Sequence, residues 1–120
     1  MYVNDLEATR DFFIKYLNAV PGEMYHNPRT GLKTYFLSFG NECRLEIMSR
    51  PEINDGDKDI YRCGYNHIAF SLGSKEQVDR LTAKLKTDGF EIISGPRTTG
   101  DGYYESCFKD AEGNLIELSE

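Results

Sequence analysis

The feature that most limits how this chain can fold is a repeat: the order strand, helix, strand, strand, strand occurs twice along its 120 residues. In the first half, Met1-Tyr2-Val3 reads as the end of a strand and Asn4 or Asp5 as a helix cap, with Glu7 placed three residues after Asn4 as a capping box requires. Leu6, Phe13 and Leu17 recur at helical spacing, and Phe12 and Tyr16 thicken the stripe, which predicts an amphipathic helix over 6–17 ended by Pro21-Gly22. Three strands are then expected, a weak one over 23–26, an aromatic one over 33–39 and one over 43–49. The turns between them are Asn27-Pro28-Arg29-Thr30-Gly31 and Gly40-Asn41-Glu42.

The second half runs the same way. A strand over 67–72 precedes a helix capped by Ser74, with Gln77 completing an S-x-x-Q box, Val78, Leu81 and Leu85 as its apolar stripe, and Asp88-Gly89 as its stop. Strands over 90–94, 103–108 and 114–119 follow, separated by residues 95–102 and by Asp110-Ala111-Glu112-Gly113. Residue echoes support a duplication: Pro28-Arg29-Thr30 against Pro96-Arg97-Thr98, and Leu45-Glu46-Ile47 against Ile116-Glu117-Leu118. A period of roughly 65 to 70 residues is longer than a solenoid repeat and suits two modules of one domain. The expected fold class is α+β, two tandem βαβββ modules forming curved mixed sheets with helices on the outer face. The expected division is module 1 over 1–49, a polar linker over 50–64 and module 2 over 65–120.

Composition narrows the partners. A formal net charge of −6 argues against nucleic acid and anionic membrane surfaces, which require clustered Lys and Arg. The absence of a bilayer-length apolar run or an opening signal segment leads to the expectation of a cytoplasmic protein. Cys43, Cys63 and Cys107 are odd in number and form no C-x-x-C pair, so they read as free thiols. Asp55, Asp57 and Asp59 imitate part of a calcium loop, but the glycine is misplaced and no glutamate closes it, so a solvated connector is expected there.

Strand parity singles out three side chains. Side chains alternate with a period of two along a strand. Glu46 therefore opposes Leu45 and Ile47, Glu117 opposes Ile116 and Leu118, and His67 opposes Ile68, Phe70 and Leu72. Three metal-capable side chains turned away from the hydrophobic faces suggest a second interior with polar walls. Tyr35, Phe36, Tyr103 and Tyr104 are expected to line or roof it, ordinary packing being the alternative; Glu105 shares parity with Tyr103 and Cys107, as a solvated strand residue or a second acid or base, and Arg29 and Arg97 are expected to meet a substrate carboxylate or to sit in turns. His26 is expected at the surface.

With these residues in place, the chain resembles the vicinal oxygen chelate superfamily, the glyoxalase, bleomycin resistance protein and dioxygenase family, and most of all its glyoxalase I (lactoylglutathione lyase)-type members. The resemblance is carried by Tyr2 to Glu7 with Phe12-Phe13, Leu45 to Met48, Asn66-His67-Ile68-Ala69-Phe70, and Gly95-Pro96-Arg97 through the ending Asp110 to Leu118. It implies Glu46, His67 and Glu117 as ligands of one divalent metal ion, of Zn, Ni, Co, Mn or Fe. The fourth ligand in such proteins is usually a His five residues before the one matching Val3, a position ahead of Met1. The expectation is thus a chain that starts late, or a site completed by water or by Tyr2.

The resemblance further implies an enzyme, a metal-dependent lyase or isomerase. A metal-bound carbonyl of a small-molecule substrate would lose a proton from the adjacent carbon to Glu117 or Glu46 and regain it at the neighbouring carbon. Glutamate at position 46 argues against the dioxygenases, whose iron site is of the two-histidine, one-carboxylate type. A metal-free binding protein of the bleomycin-resistance kind and a fosfomycin-type thiol transferase are the alternatives. The resemblance also implies a homodimer with shared active sites.

Overall fold

The structure, a computed structural model, describes residues 1–40 and 42–120. Asn41, the centre of the expected Gly40-Asn41-Glu42 turn, lies outside the described residues. The fold is α+β, built of two βαβββ-like repeats, and the chain divides into two compact units, Met1–Gly56 and Asp57–Glu120. Among the described residues no helix is long and apolar enough to cross a membrane.

In the first unit, α1 spans Leu6–Leu17. Asp5 alone caps it, its side chain accepting from the Ala8 N–H at 2.9 Å, and Glu7 turns to Tyr35 rather than closing a capping box. The helix stops at Asn18, which takes the left-handed conformation that a short polar side chain tolerates, so it ends before Pro21-Gly22. Next come β1 (Val20–Pro21), β2 (Tyr25–His26), β3 (Lys33–Phe39) and β4 (Cys43–Ser49). β1 and β2 both pair with β3 and are two pieces of one interrupted edge strand, extending the weak strand expected at 23–26 toward Val20. β4 pairs antiparallel with β3, bringing Phe36 opposite Glu46 and Thr34 opposite Met48. Met1-Tyr2-Val3 runs parallel to β4 through a bridge between Tyr2 and Met48, with Val3 N–H bonding to Met48 O and Met48 N–H to Met1 O. Val3, Leu6, Phe13, Leu37 and Ile47 form the dry layer between sheet and helix.

In the second unit the same plan is complete. β5 (His67–Ser71), α2 (Lys75–Thr87), β6 (Ile92–Thr98), β7 (Tyr104–Lys109) and β8 (Leu115–Ser119) give a sheet of order β5-β8-β7-β6, parallel between β5 and β8 and antiparallel elsewhere. Ser74 caps α2 by accepting from the Gln77 N–H, while the Gln77 side chain accepts from Arg80 instead of returning to the cap. Val78 and Leu85 on α2 meet Phe108, Ile116 and Leu118 in the core; Leu81 is only half-buried and Thr82 takes the remaining buried place. Thr82 and Ser106 join hydroxyls there at 2.6 Å, which satisfies two groups that would otherwise be costly to bury.

β6 continues through Gly95-Pro96 to Thr98, where the sequence suggested a connection. A proline is tolerated in this edge strand because its missing N–H is not needed by a neighbour, and the register slips there, as it does in a β-bulge. Of the expected cavity aromatics, two face the helices instead. The Tyr35 hydroxyl donates to Glu7 and accepts from Arg10, both on α1, and the Tyr104 hydroxyl donates to Asp79 on α2. Pro28-Arg29-Thr30 lies in a turn held by the Asn27 carbonyl oxygen of its side chain, while Arg97 sits in a strand, so the two Pro-Arg-Thr echoes are not equivalent in the fold.

Candidate functional site

The site builds from the face of the second sheet that α2 leaves open. Ile116 and Leu118 of β8 and Ser106 and Phe108 of β7 are buried toward the helix, so their alternating neighbours, Glu117, Glu105 and Cys107, stand on the other face. Cys107 lies opposite Glu117 across the β7–β8 pair, and Ala69 lies opposite Glu117 across β5–β8. His67, two residues before Ala69, therefore shares that face and reaches Glu117 diagonally, Nε2 to Oε2 at 3.5 Å. The structure thus brings His67 and Glu117 together.

Asn66 decides which nitrogen of His67 is available. Its side-chain NH2 donates to the Ile60 carbonyl at 2.7 Å, which turns its Oδ1 toward His67 Nδ1 at 3.0 Å. An acceptor there favours the tautomer with the proton on Nδ1, and leaves the Nε2 lone pair aimed at Glu117. An imidazole nitrogen and a carboxylate oxygen, both acceptors, then face each other across a gap that a cation can bridge. Asn66 was not among the sequence candidates; its only signal was its place immediately before a strand histidine.

The electrostatics are those of a crowded, half-dry carboxylate. Burial raises the Glu117 pKa above the ordinary 4.5, the neighbouring Glu105 charge adds to the rise, and His67, whenever it is protonated, pulls it partly back. Burial, then the charges of Glu117 and Glu105, push the Cys107 thiol above its ordinary 9.0, which keeps it protonated and a poor nucleophile. Glu105 does face this cluster, as its parity suggested, and meets Arg97 Nη2 at 3.5 Å.

Glu46 belongs to the first unit. It stands half-buried on β4, on the face opposite Ile47, beside the exposed ring of Phe36, over which the Arg44 guanidinium is stacked at 5.1 Å. Tyr2, the expected substitute ligand, is half-exposed opposite Met48 and close to the Arg50 guanidinium. Asp57 and Asp59 are taken up by the backbone N–H groups of Asp59 and Tyr61, and Asp55 by Asn4. Among the described residues no three His, Cys, Asp or Glu side chains already form a group that could hold a metal ion. The donor chemistry of the His67–Glu117 pair nonetheless fits a divalent ion: one nitrogen and one oxygen ligand, with the imidazole tautomer already set.

Comparison with known proteins bears on the fold and the family. The chain is 29% identical, over 98% of its length and 92% of the relative's, to the Bacillus subtilis (strain 168) protein called Uncharacterized protein YqjT. It shares its fold with the trypanothione-dependent glyoxalase I of Leishmania major, at a TM-score of 0.79 and 20% identity, covering all of this chain and 81% of that one. It also resembles the fosfomycin resistance protein FosX of Listeria monocytogenes, solved with Mn(II) and sulfate, at a TM-score of 0.70 and 26% identity, covering 99% of this chain and 85% of that one. The family description that matches, over residues 1–118, is Glyoxalase/Bleomycin resistance protein/Dioxygenase superfamily. A duplicated βαβββ chain matched over nearly its whole length to that description is a member of the glyoxalase/bleomycin resistance protein/dioxygenase superfamily.

Proposed function

We propose that the protein is a metal-dependent lyase or isomerase of the glyoxalase kind, acting on a small carbonyl compound such as the adduct of a thiol with a dicarbonyl. The observation that carries this reading is the His67–Glu117 contact, with Asn66 setting the tautomer, on the open face of the second sheet. His67 and Glu117 would hold the ion, with Glu46 supplied by a second copy of the chain, and FosX, a relative in fold, was solved with Mn(II). A bound divalent ion supplies Lewis-acid polarisation of a substrate oxygen. The chain's own part is to fix the ligands, exclude bulk water from a half-buried carboxylate, and accept at Glu117 or Glu46 the proton released from the carbon beside the carbonyl. A homodimer in which Glu46 of one chain joins His67 and Glu117 of its partner remains part of this proposal.

The test is a thermal melt of metal-free protein with and without Ni²⁺, Zn²⁺ or Mn²⁺. An ion at a hundred times its Kd adds about 2.7 kcal/mol, which raises Tm by on the order of 10 °C. The wild type should show that rise, and His67→Ala and Glu117→Gln should lose it, together with turnover of a hemithioacetal. No metal-dependent rise in the wild type overturns the reading.

The exposed apolar side chains of the first sheet, Phe36, Tyr25 and Val20, support the second reading, a binding protein that holds an apolar small molecule without a metal. Metal-independent ligand binding that survives Glu117→Gln would establish it. Metal-dependent addition of a thiol to fosfomycin would move the assignment to thiol transfer.

A further inference from the structure

Glu117 is one member of a row that crosses all four strands of the second sheet. Arg97 on β6 lies directly opposite Glu105 on β7 and meets it at 3.5 Å. Glu105 lies opposite Ser119, one diagonal step from Glu117, so the two carboxylates are neighbours on one face and their charges oppose each other. Glu117 then reaches His67 on β5. We propose that Arg97 and Glu105 are positioning residues that hold the Glu117 carboxylate against His67, and that the Gly95-Pro96 bulge is what aims Arg97 into the row.

The bulge argument is geometric. From Ser94 to Arg97 the chain of β6 advances three residues while its partner moves only two, from Cys107 to Glu105. Without the extra residue Pro96, not Arg97, would stand opposite Glu105. The insertion depends on Gly95: its φ of 81° is in the left-handed region, and a Cβ there would sit close against the Glu105 carbonyl oxygen and 2.8 Å from Ser106 Cα. Backbone is therefore pressed on backbone at the very residue whose side chain Arg97 holds.

The clamp has an evident purpose in this arrangement. A glutamate has three free torsions, so its carboxylate is placed only if neighbours restrict it. On one side Glu105 fills the space and repels; on the other stands His67. Arg97 draws Glu105 back with a charge that also offsets the crowding of two carboxyl groups. Both glutamate side chains are largely covered, at 17% and 20% exposure, while Arg97 and His67 at the ends of the row are 51% and 40% exposed, so the two carboxylates feel each other with less screening than the outer pairs.

The consequence for affinity rests on the metal-binding reading above, but the structural claim does not. Full-chain Arg97→Ala, Arg97→Lys and Glu105→Ala should be crystallised metal-free and titrated with Mn²⁺ or Ni²⁺. Arg97→Ala and Glu105→Ala should keep the metal-free Tm of the wild type, show Glu117 turned away from His67, and bind metal 10- to 100-fold more weakly, on the order expected for loss of a group that orients a ligand. Arg97→Lys should restore part of the affinity. Glu117 still seated on His67 in both alanine variants, with Kd within about twofold of wild type, overturns the proposal. Should the wild type bind no metal, the function reading falls alone, and the crystallographic position of Glu117 still decides this one. Should Glu105→Ala fail to fold, Arg97→Ala carries the test.

Discussion

In the second repeat Glu117 has Cys107 opposite it, Glu105 one step along the same strand, and Arg97 beyond. Carrying the ladder of the first repeat onto it residue by residue, Glu46 has Phe36 in place of Cys107, Thr34 in place of Glu105, and Tyr25 in place of Arg97. Tyr2, opposite Met48, corresponds to Ser71, opposite Ser119, and so not to His67. One ladder thus carries a charged row and the other an aromatic and neutral one. A duplicated sheet dictates where a glutamate stands; the diagonal neighbours dictate whether it joins a row of charged side chains or stands among aromatic and neutral ones. The second repeat gathers an imidazole, a guanidinium and two carboxylates on one face, and the first gathers exposed aromatic rings.

The sharpest way to break this comparison is at two glycines that face corresponding strands. Gly95 has a left-handed φ and no room for a Cβ against β7, whereas a Cβ at Gly22 would meet only the Phe36 carbonyl oxygen at an ordinary 3.6 Å. Gly95→Ala combines an unfavourable backbone region with backbone overlap and should cost about 3 kcal/mol or more. Gly22→Ala should stay within about 1 kcal/mol of wild type. Urea unfolding of both variants checks this, and equal costs would mean that the bulge is not the special feature of the second repeat.

How much of this was legible beforehand depends on the length scale of the signal. Parity needs only a strand and a period of two, so the outward placement of Glu117 and Glu105 could be read directly, as could α1 and the bounds of β3 and β4. Register between strands is not a local property. The bulge at Gly95-Pro96 shifts it by one residue, which made β6 look finished before Arg97 and made Pro-Arg-Thr look like a repeated element when only one copy lies in a strand. Tyr103 and Tyr104 could not both line one face, because consecutive strand residues point opposite ways, and Tyr104 went to α2. The role of Asn66 was hidden for another reason: its partner is a main-chain carbonyl at Ile60, and any residue type can supply that.

The repeats also join sheet to helix differently, and this is the source of a smaller effect. Ser106 corresponds to Tyr35, the residue before Phe36. Tyr35 sends its hydroxyl out to the rim of α1, to Glu7 and Arg10, while Ser106 meets Thr82 inside the core. Thr82 also donates to the Val78 carbonyl at 2.7 Å, so removing Ser106 leaves Thr82 satisfied, but removing Thr82 strands a buried hydroxyl. Thr82→Val should therefore cost about 1–3 kcal/mol, and Ser106→Ala and Tyr35→Phe about 1 kcal/mol or less. Thr82→Val with Ser106→Ala together should recover most of the loss, since apolar groups of similar shape would then replace both partners. A double variant no better than Thr82→Val alone would mean that packing, not the hydroxyl pair, holds that point.

The smallest expected effect is a slope. In metal-free protein Glu117 has a pKa raised above 4.5, chiefly by burial and then by Glu105, so the folded state holds that proton more tightly than the unfolded chain does. By linkage its contribution to stability is fully present below the unfolded value and is lost as pH rises through the folded one. Asp110 has the same sign, since burial outweighs the bonds it accepts from Asn114 and Glu112 and raises it above 3.8. Both wild type and Glu117→Gln contain Asp110, so its contribution cancels in their difference. Melting curves from about pH 4 to about pH 7 should show the wild type losing stability relative to Glu117→Gln across that window. Parallel curves would mean that Glu117 titrates as a solvated carboxylate, and the distinction between a crowded charged row and a plain sheet face would have to be given up.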